Sequence, residues 1–197
     1  MINGKHRKGN EFFKNKDYEN AIKWYGEAIE IDPTNHTYYS NRSASHAGLG
    51  QWEQAAQDGS ACISAKKDFI KGYFRLATAQ ENLKDFKKGL ETITMGLAVE
   101  PRNKDLLSMK SRYEEELRVQ KSSNLRQQAQ QLQKSGDIAG AFKALESARA
   151  VDSGNTELQK EFEQVKQMYD KTEKSRKMGL SPLERIKEQG DDKYKNG

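Results

Sequence analysis

The sequence predicts an all-α fold, a solenoid in which helix-turn-helix units stack into an α-α superhelix. Segments 2–35, 36–69 and 70–103 align without insertion or deletion, so the chain repeats with a period of 34 residues. Within each segment, apolar residues recur at the i, i+3, i+4, i+7 spacing of a buried helical face. The three prolines leave long stretches free for helices, and the sequence has no convincing strand pattern.

Small residues recur at fixed places in the three segments. The aligned sets are Gly9, Ser43 and Ala77; Ala21, Ala55 and Gly89; and Ala28, Cys62 and Gly96. Two helices approach closely only where the side chains between them are short. We therefore expect all three sets to lie at helix crossings, which makes Cys62 a buried, inert thiol.

The first unit shows how each pair of helices is specified. Helix A is predicted from Lys5 to Asn15, and Asp17 then caps helix B by accepting from amides of its first turn. Asp32 and Pro33 end helix B, because proline cannot continue the hydrogen-bond ladder. The predicted buried face of helix B consists of Ala21, Ile22, Tyr25, Ala28 and Ile29. The second and third units repeat this scheme.

The remaining chain divides into further segments. Residues 104–121 form a charged amphipathic helix that caps the array, which gives a three-repeat domain at 2–121. A weaker fourth repeat is predicted at 122–155, followed by an amphipathic helix and linker at 156–182. Residues 187–197 resemble residues 6–16, so we expect 183–197 to be the truncated start of a further array and the chain to be a fragment.

Composition limits the function. No stretch of about 18 apolar residues is present, which argues against a membrane span. A single cysteine suits a reducing compartment, so we expect a cytoplasmic protein. His6, His36 and His46 have no nucleophile, acid pair or metal-ligand spacing around them, and we expect neither an enzyme, nor a cofactor, nor a metal. The net charge of +5 favours an acidic partner.

The repeat resembles that of the tetratricopeptide (TPR) family, whose units have this period and these small residues. Three phrases are similar to the Hsp70/Hsp90-organising co-chaperones: residues 8–11 (Lys-Gly-Asn-Glu), 39–44 (Tyr-Ser-Asn-Arg-Ser-Ala) and 69–75 (Phe-Ile-Lys-Gly-Tyr-Phe-Arg). The resemblance implies a non-catalytic adaptor of the stress response. Its groove would bind the C-terminal Glu-Glu-Val-Asp peptide of heat-shock protein 70 and/or 90.

The family's two-carboxylate clamp maps onto five positions of this chain. They are His6, Asn10, Asn41, Lys71 and Arg75. Four match the family in residue type, whereas His6 stands where the family has Lys; Lys5 points about a third of a turn away. Ala44 and Ala47 resemble the apolar floor that receives the ligand's aliphatic side chains. The substitution at His6 implies a weaker clamp that tightens near pH 6.

The same residues suit carboxylates without the analogy. Helix A of successive units lines the concave face of such a solenoid, so these side chains converge. A C-terminal Asp carries two carboxylates, for which Asn provides oriented donors and Lys and Arg provide charge-assisted ones. Two alternatives stay open: a TPR scaffold for a different protein partner, or the TPR module of a larger multidomain protein. Basic clusters at 5–8 and 171–187 lack exposed aromatics for stacking, so nucleic acid is not the expected partner.

Overall fold

The computed structural model of the protein describes residues 2–180, and within this range it consists of nine α-helices. Their bounds are α1 Ile2–Lys14, α2 Tyr18–Ile31, α3 His36–Gly48, α4 Trp52–Ala65, α5 Ile70–Asn82, α6 Phe86–Val99, α7 Lys104–Lys134, α8 Ile138–Val151 and α9 Thr156–Gly179. The predicted all-α solenoid is confirmed. Two compact units make up the fold, Met1–Leu117 and Arg118–Gly197.

Asp and Asn side chains begin many of these helices. Asp17 Oδ1 accepts from the Asn20 amide at 3.2 Å, as predicted for the start of α2. Asp85 does the same for α6 at 3.2 Å and Asp137 for α8 at 2.8 Å. Each carboxylate accepts a hydrogen bond from an amide that has no partner within the helix. Its negative charge also interacts favourably with the positive, N-terminal end of the helix dipole.

The turn between the two helices of a unit has the same backbone conformation in all three repeats. Lys16, Gly50 and Lys84 have φ angles of 60°, 70° and 60°. These positions are spaced by one period of the repeat. Only glycine adopts this left-handed conformation at little cost, so Lys16 and Lys84 hold it because the flanking helices are already packed.

The core of the first unit lies along the predicted columns of small residues. All nine of these residues are buried, and Ala21, Ala28, Cys62 and Ala77 are fully inaccessible. The glycines of these columns allow close approaches: a Cβ on Gly96 of α6 would lie 2.8 Å from Cδ1 of Leu106, on the next helix. The columns therefore set the helix spacing in this unit.

Helix α7 closes the first unit and continues beyond it. Leu106, Met109 and Tyr113 are buried in one cluster with Phe86 and Ile93 of α6. Residues 121 and 122, where the sequence analysis separates a capping helix from a fourth repeat, lie inside this one helix. No Pro or Gly occurs between 104 and 134 to end the ladder.

The second unit is described from 118 to 180. The end of α7 packs with α8 and α9 around Ala129, Leu145, Leu158, Phe162 and Val165, a core that includes predicted positions of the fourth repeat. Residues 183–197, the predicted start of another array, lie outside the described residues. None of the described helices has the length and apolarity needed to cross a bilayer.

Candidate functional site

Three neighbouring helices of the first unit carry the five predicted clamp residues. His6 and Asn10 lie one turn apart on α1, Asn41 lies on α3, and Lys71 and Arg75 lie one turn apart on α5. Helix α3 contacts both α1 and α5, so the first helices of successive repeats share one face. This arrangement brings donors from three helices to one surface.

Three of the five side chains form a hydrogen-bonded cluster. The Asn41 amide nitrogen donates to Asn10 Oδ1 at 3.1 Å, and the same nitrogen lies 3.3 Å from Nε2 of His6. The Tyr25 hydroxyl also donates to Asn10 Oδ1, at 2.7 Å. Pattern analysis placed Tyr25 in the core of the unit but did not assign it to this cluster.

His6 lies in an aromatic setting. Its ring centroid is 5.0 Å from that of Tyr38 and 6.1 Å from that of Tyr25. Burial lowers the pKa of His6 below its ordinary value, because the charged imidazolium is less well solvated there. The imidazole is therefore neutral at pH 7 and adds a polar atom to the cluster but no charge.

Lys5 does not replace the cation that His6 lacks. Its amine forms an ion pair with Glu27 of α2 and lies 5.7 Å from the centroid of the Trp24 ring. The side chain is thus directed to the second helix of the unit, which agrees with its predicted orientation. The adjacent Lys8 lies over the same Trp24 ring at 4.3 Å.

Arg75 is a half-buried cation with no counter-ion among residues 2–180. Its Nε is buried and has no hydrogen-bond partner, and burial lowers the pKa of the guanidinium. Arg42, the other half-buried arginine on these faces, instead makes two hydrogen bonds of 2.8 and 2.7 Å to the carboxylate of Asp58. Lys71 is exposed and makes no ion pair with any described residue. The α5 side of the site therefore carries two positive charges, neither of which is paired with a carboxylate of a described residue.

Lys71 and Arg75 also line an open pocket of about 440 Å³. Its other walls come from α5 and from the region where α7 begins: Ile70, Phe74, Glu100, Asn103 and Asp105. On α3, Ala44 is buried and Ala47 is partly exposed, so Ala47 is the more accessible part of the predicted apolar floor.

The chemistry of this surface is that of an anion receptor. Lys71, Arg75 and Asn10 can donate to an oxyanion, and the fixed Asn41 amide lies between them in the order of the helices. Within residues 2–180, no group of three or more His, Cys, Asp or Glu side chains could hold a metal ion. The described side chains thus offer hydrogen bonds and charge to a ligand.

Comparison with known proteins identifies relatives and solved structures that are similar to this chain. A family model described as "TPR repeat" matches residues 9–50. The Hsp70-Hsp90 organising protein of Plasmodium falciparum is 40% identical over 98 residues, which are 50% of this chain and 39% of that protein. The chain thus spans well under half the length of this relative.

Two solved structures share the fold. The TPR2B domain of yeast Sti1, in complex with pHsp70, has a TM-score of 0.55 and 27% identity, covering 58% of this chain and 97% of that one. The second TPR domain of human RPAP3, in complex with the HSP70 peptide SGPTIEEVD, has a TM-score of 0.54 and 26% identity, covering 57% and 98%.

The matches and the helix geometry agree on one architecture. Residues 9–50 match the tetratricopeptide repeat, and the helical solenoid of the chain resembles, over about half the length of the chain, that of the Hsp70-Hsp90 organising proteins.

Proposed function

We propose that the first unit binds the free C-terminus of an acidic peptide ending in Glu-Glu-Val-Asp, and that the protein acts as a non-catalytic co-chaperone adaptor. The proposed partner is the C-terminal tail of heat-shock protein 70 and/or 90. The observation that carries the proposal is Arg75, whose buried Nε has no partner and whose charge has no counter-ion among the described residues.

An unpaired, partly buried guanidinium destabilises a free protein, since it loses hydration without gaining a hydrogen bond. A ligand carboxylate would supply the missing acceptor. Lys71, one turn away on α5, adds a second positive charge, and Asn10 adds an amide donor from α1. A C-terminal Asp carries two carboxylates close together, which matches donors spread over neighbouring helices.

The comparisons support this choice of ligand. The Sti1 domain was solved with pHsp70, and the RPAP3 domain with an HSP70 peptide that ends in Glu-Glu-Val-Asp. Both are at least 26% identical to this chain over more than half its length. The organising proteins among the relatives are named for the same two chaperones. A cytoplasmic location would follow from such partners.

The test is a titration of two fluorescent peptides against the wild type, one ending Met-Glu-Glu-Val-Asp and the other Ile-Glu-Glu-Val-Asp. Each is compared with a version whose C-terminus is amidated. Arg75→Ala should weaken binding by roughly 30-fold or more, since loss of a buried charge partner costs about 2–5 kcal/mol. Lys23→Ala is the matched control, because Lys23 is exposed on α2 and its loss lowers the net charge by the same amount.

Loss of binding on amidation and in Arg75→Ala, with Lys23→Ala unaffected, would support the proposal. The difference between the two peptides would then give the preferred chaperone. Failure of both peptides to bind at high protein concentration would contradict it, and the groove would then hold a different protein partner. Equal weakening by Arg75→Ala and Lys23→Ala, with steep loss on adding salt, would indicate non-specific charge binding instead.

A further inference from the structure

Tyr25 is a buried residue that contacts the proposed site. Only 1% of its surface is exposed, yet its hydroxyl reaches α1 and donates to Asn10 Oδ1 at 2.7 Å. The Asn41 amide nitrogen donates to the same oxygen at 3.1 Å. One acceptor atom of Asn10 therefore receives hydrogen bonds from two other helices.

These two bonds favour one orientation of the Asn10 side chain. An asparagine amide has an acceptor oxygen on one side and a donor nitrogen on the other. A reversed amide would place its N–H groups against the N–H donor of Asn41 and force the Tyr25 hydroxyl to change its role. The observed orientation leaves the nitrogen of Asn10 directed away from the cluster, and Asn10 is exposed. Its free atom is thus a donor.

We propose that Tyr25 is a positioning residue that holds Asn10 as a hydrogen-bond donor and so makes the groove prefer a carboxylate over an amide at the ligand's C-terminus. The inference rests on the proposed function, because it concerns the same groove. The new point is that Tyr25 determines the preference for a charged over a neutral C-terminus of the ligand. Tyr25 acts through Asn10 and does not touch the ligand.

The packing around Tyr25 fixes its hydroxyl. A Cβ on Gly9 would lie 2.6 Å from Cε1 of the Tyr25 ring, so the ring occupies the space that a larger residue on α1 would fill. On α2, Tyr25 belongs to the buried face together with Ala21 and Ala28. A ring held on both sides presents its oxygen to Asn10 with little freedom to move.

The hydroxyl also keeps its proton. Burial raises the pKa of Tyr25 to about 12, and the side-chain hydrogen bond from Asn41 opposes that rise in part. The Tyr25 hydroxyl therefore stays protonated and able to donate throughout the neutral range, and the orientation of Asn10 does not depend on pH through this residue.

The test measures preference as well as affinity. Tyr25→Phe keeps the ring and removes the hydroxyl, so Asn10 keeps only the bond from Asn41 and turns more readily. Binding of the free-carboxylate peptide should weaken about threefold to tenfold, the usual effect of one hydrogen bond. Binding of the amidated peptide should stay the same or tighten, because a turned Asn10 can accept from the terminal amide. The ratio of the two affinities should fall by a similar factor.

Tyr113→Phe is the matched control. The hydroxyl of Tyr113 is also buried, but it bonds to the backbone oxygen of Ala77 at 2.7 Å and lies 3.3 Å from Glu81 Oε2, and neither partner is a clamp residue. Tyr113→Phe should lower the free energy of unfolding without changing the ratio of the affinities for the free-carboxylate and amidated peptides. In an Asn10→Ala background, Tyr25→Phe should cause no further loss of affinity, since the residue through which it acts is absent.

A second measurement does not depend on the peptide. The side-chain NH₂ resonances of Asn10, identified by their loss in Asn10→Ala, should shift in Tyr25→Phe and stay in place in Tyr113→Phe. An unchanged affinity ratio in Tyr25→Phe, with wild-type binding intact, overturns the inference and leaves the proposed function standing. If the wild type binds neither peptide, the proposed function fails, and unchanged Asn10 resonances in Tyr25→Phe would refute the orientation as well.

Discussion

Arg75 is expected to destabilise the free protein and to provide a positive charge to a bound ligand. The guanidinium is half-buried, its Nε lacks a partner, and burial lowers its pKa. We predict that Arg75→Met, which keeps the apolar length of the side chain, leaves the free energy of unfolding unchanged or raises it by up to about 1 kcal/mol. Urea denaturation measures this directly. If the free energy of unfolding fell by more than about 1 kcal/mol, Arg75 would be a stabilising residue of the free protein and not an unpaired group that awaits a ligand.

The same substitution should abolish tight peptide binding. Stability and affinity would then move in opposite directions at one position, which a purely structural arginine does not do. Asp58→Asn offers the contrast, because Asp58 is 4% exposed and holds the guanidinium of Arg42. There the stability should fall, since the cation of Arg42 loses its buried partner.

His6 predicts a pH dependence with opposite signs for binding and folding. Burial holds the pKa of His6 below its ordinary value of about 6.5, so the free protein carries a neutral ring at pH 7. A bound carboxylate favours the protonated ring, and affinity should therefore rise as the pH falls below about 6.5. The contribution of neutral His6 to stability is fully present above that pH and is lost as the pH falls through the lowered pKa.

Peptide titrations at pH 5.5, 6.5 and 7.5 measure the predicted pH dependence of the affinity. His6→Lys isolates the residue from His36 and His46, and should bind more tightly at pH 7.5 with little change at lower pH. A wild-type affinity that is flat over this range, or a His6→Lys variant that binds like the wild type, would exclude His6 from the site.

At the scale of the helices, the crossing of α4 and α5 determines where Lys71 and Arg75 lie. A Cβ on Gly59 of α4 would meet the backbone of Leu76 at 2.9 Å, and a backbone cannot rotate away as a side chain can. We predict that Gly59→Ala lowers the free energy of unfolding by about 1–3 kcal/mol, the range for overpacking, and weakens peptide binding by displacing α5. Urea denaturation and a peptide titration measure the two effects.

Gly26→Ala is the control for this element. Gly26 lies inside α2, and the nearest atom to an added Cβ is an Arg42 nitrogen at 3.6 Å, an ordinary contact. Alanine should stabilise the helix there by about 0.5–1 kcal/mol. If Gly59→Ala were as well tolerated as Gly26→Ala, close approach at Gly59 would not be what sets the position of α5.

Features of the fold could be predicted from the sequence where capping and residue spacing along the chain determine them. Asp17 as a cap and Cys62 as a buried packing residue follow from spacing alone, and both are as expected. The continuity of α7 was missed because a period of 34 residues suggests a break after each helix, whereas this helix runs from Lys104 to Lys134 with no Pro or Gly to interrupt it. The cluster around Asn10 joins residues 15 and 31 positions apart, and no local pattern reports such contacts.

At the scale of the whole molecule, the two units have separate cores. Leu106, Met109 and Tyr113 belong to the core of the first unit, and Leu158, Phe162 and Val165 to that of the second. Cores that share no buried residue make the stability of each unit depend mainly on its own contacts, as in other repeat proteins. The peptide site draws all five of its predicted residues from the first unit.

A pair of truncations tests this independence. A chain ending at residue 121 keeps the α7 residues that cover α6, so we predict that it stays folded and binds the free-carboxylate peptide within about twofold of the full chain, since no predicted ligand contact is lost. A chain ending at 103 loses Tyr113, whose ring fills the space beside Gly89 and whose hydroxyl bonds to Ala77. That chain should unfold or aggregate, because the last apolar face of an array needs a cap.

Circular dichroism melts measure whether each truncated chain is folded, and peptide titrations measure whether it binds. A chain ending at 121 that folds but binds much more weakly would show that the second unit takes part in recognition, and a stable, binding-competent chain ending at 103 would show that α7 is not the cap.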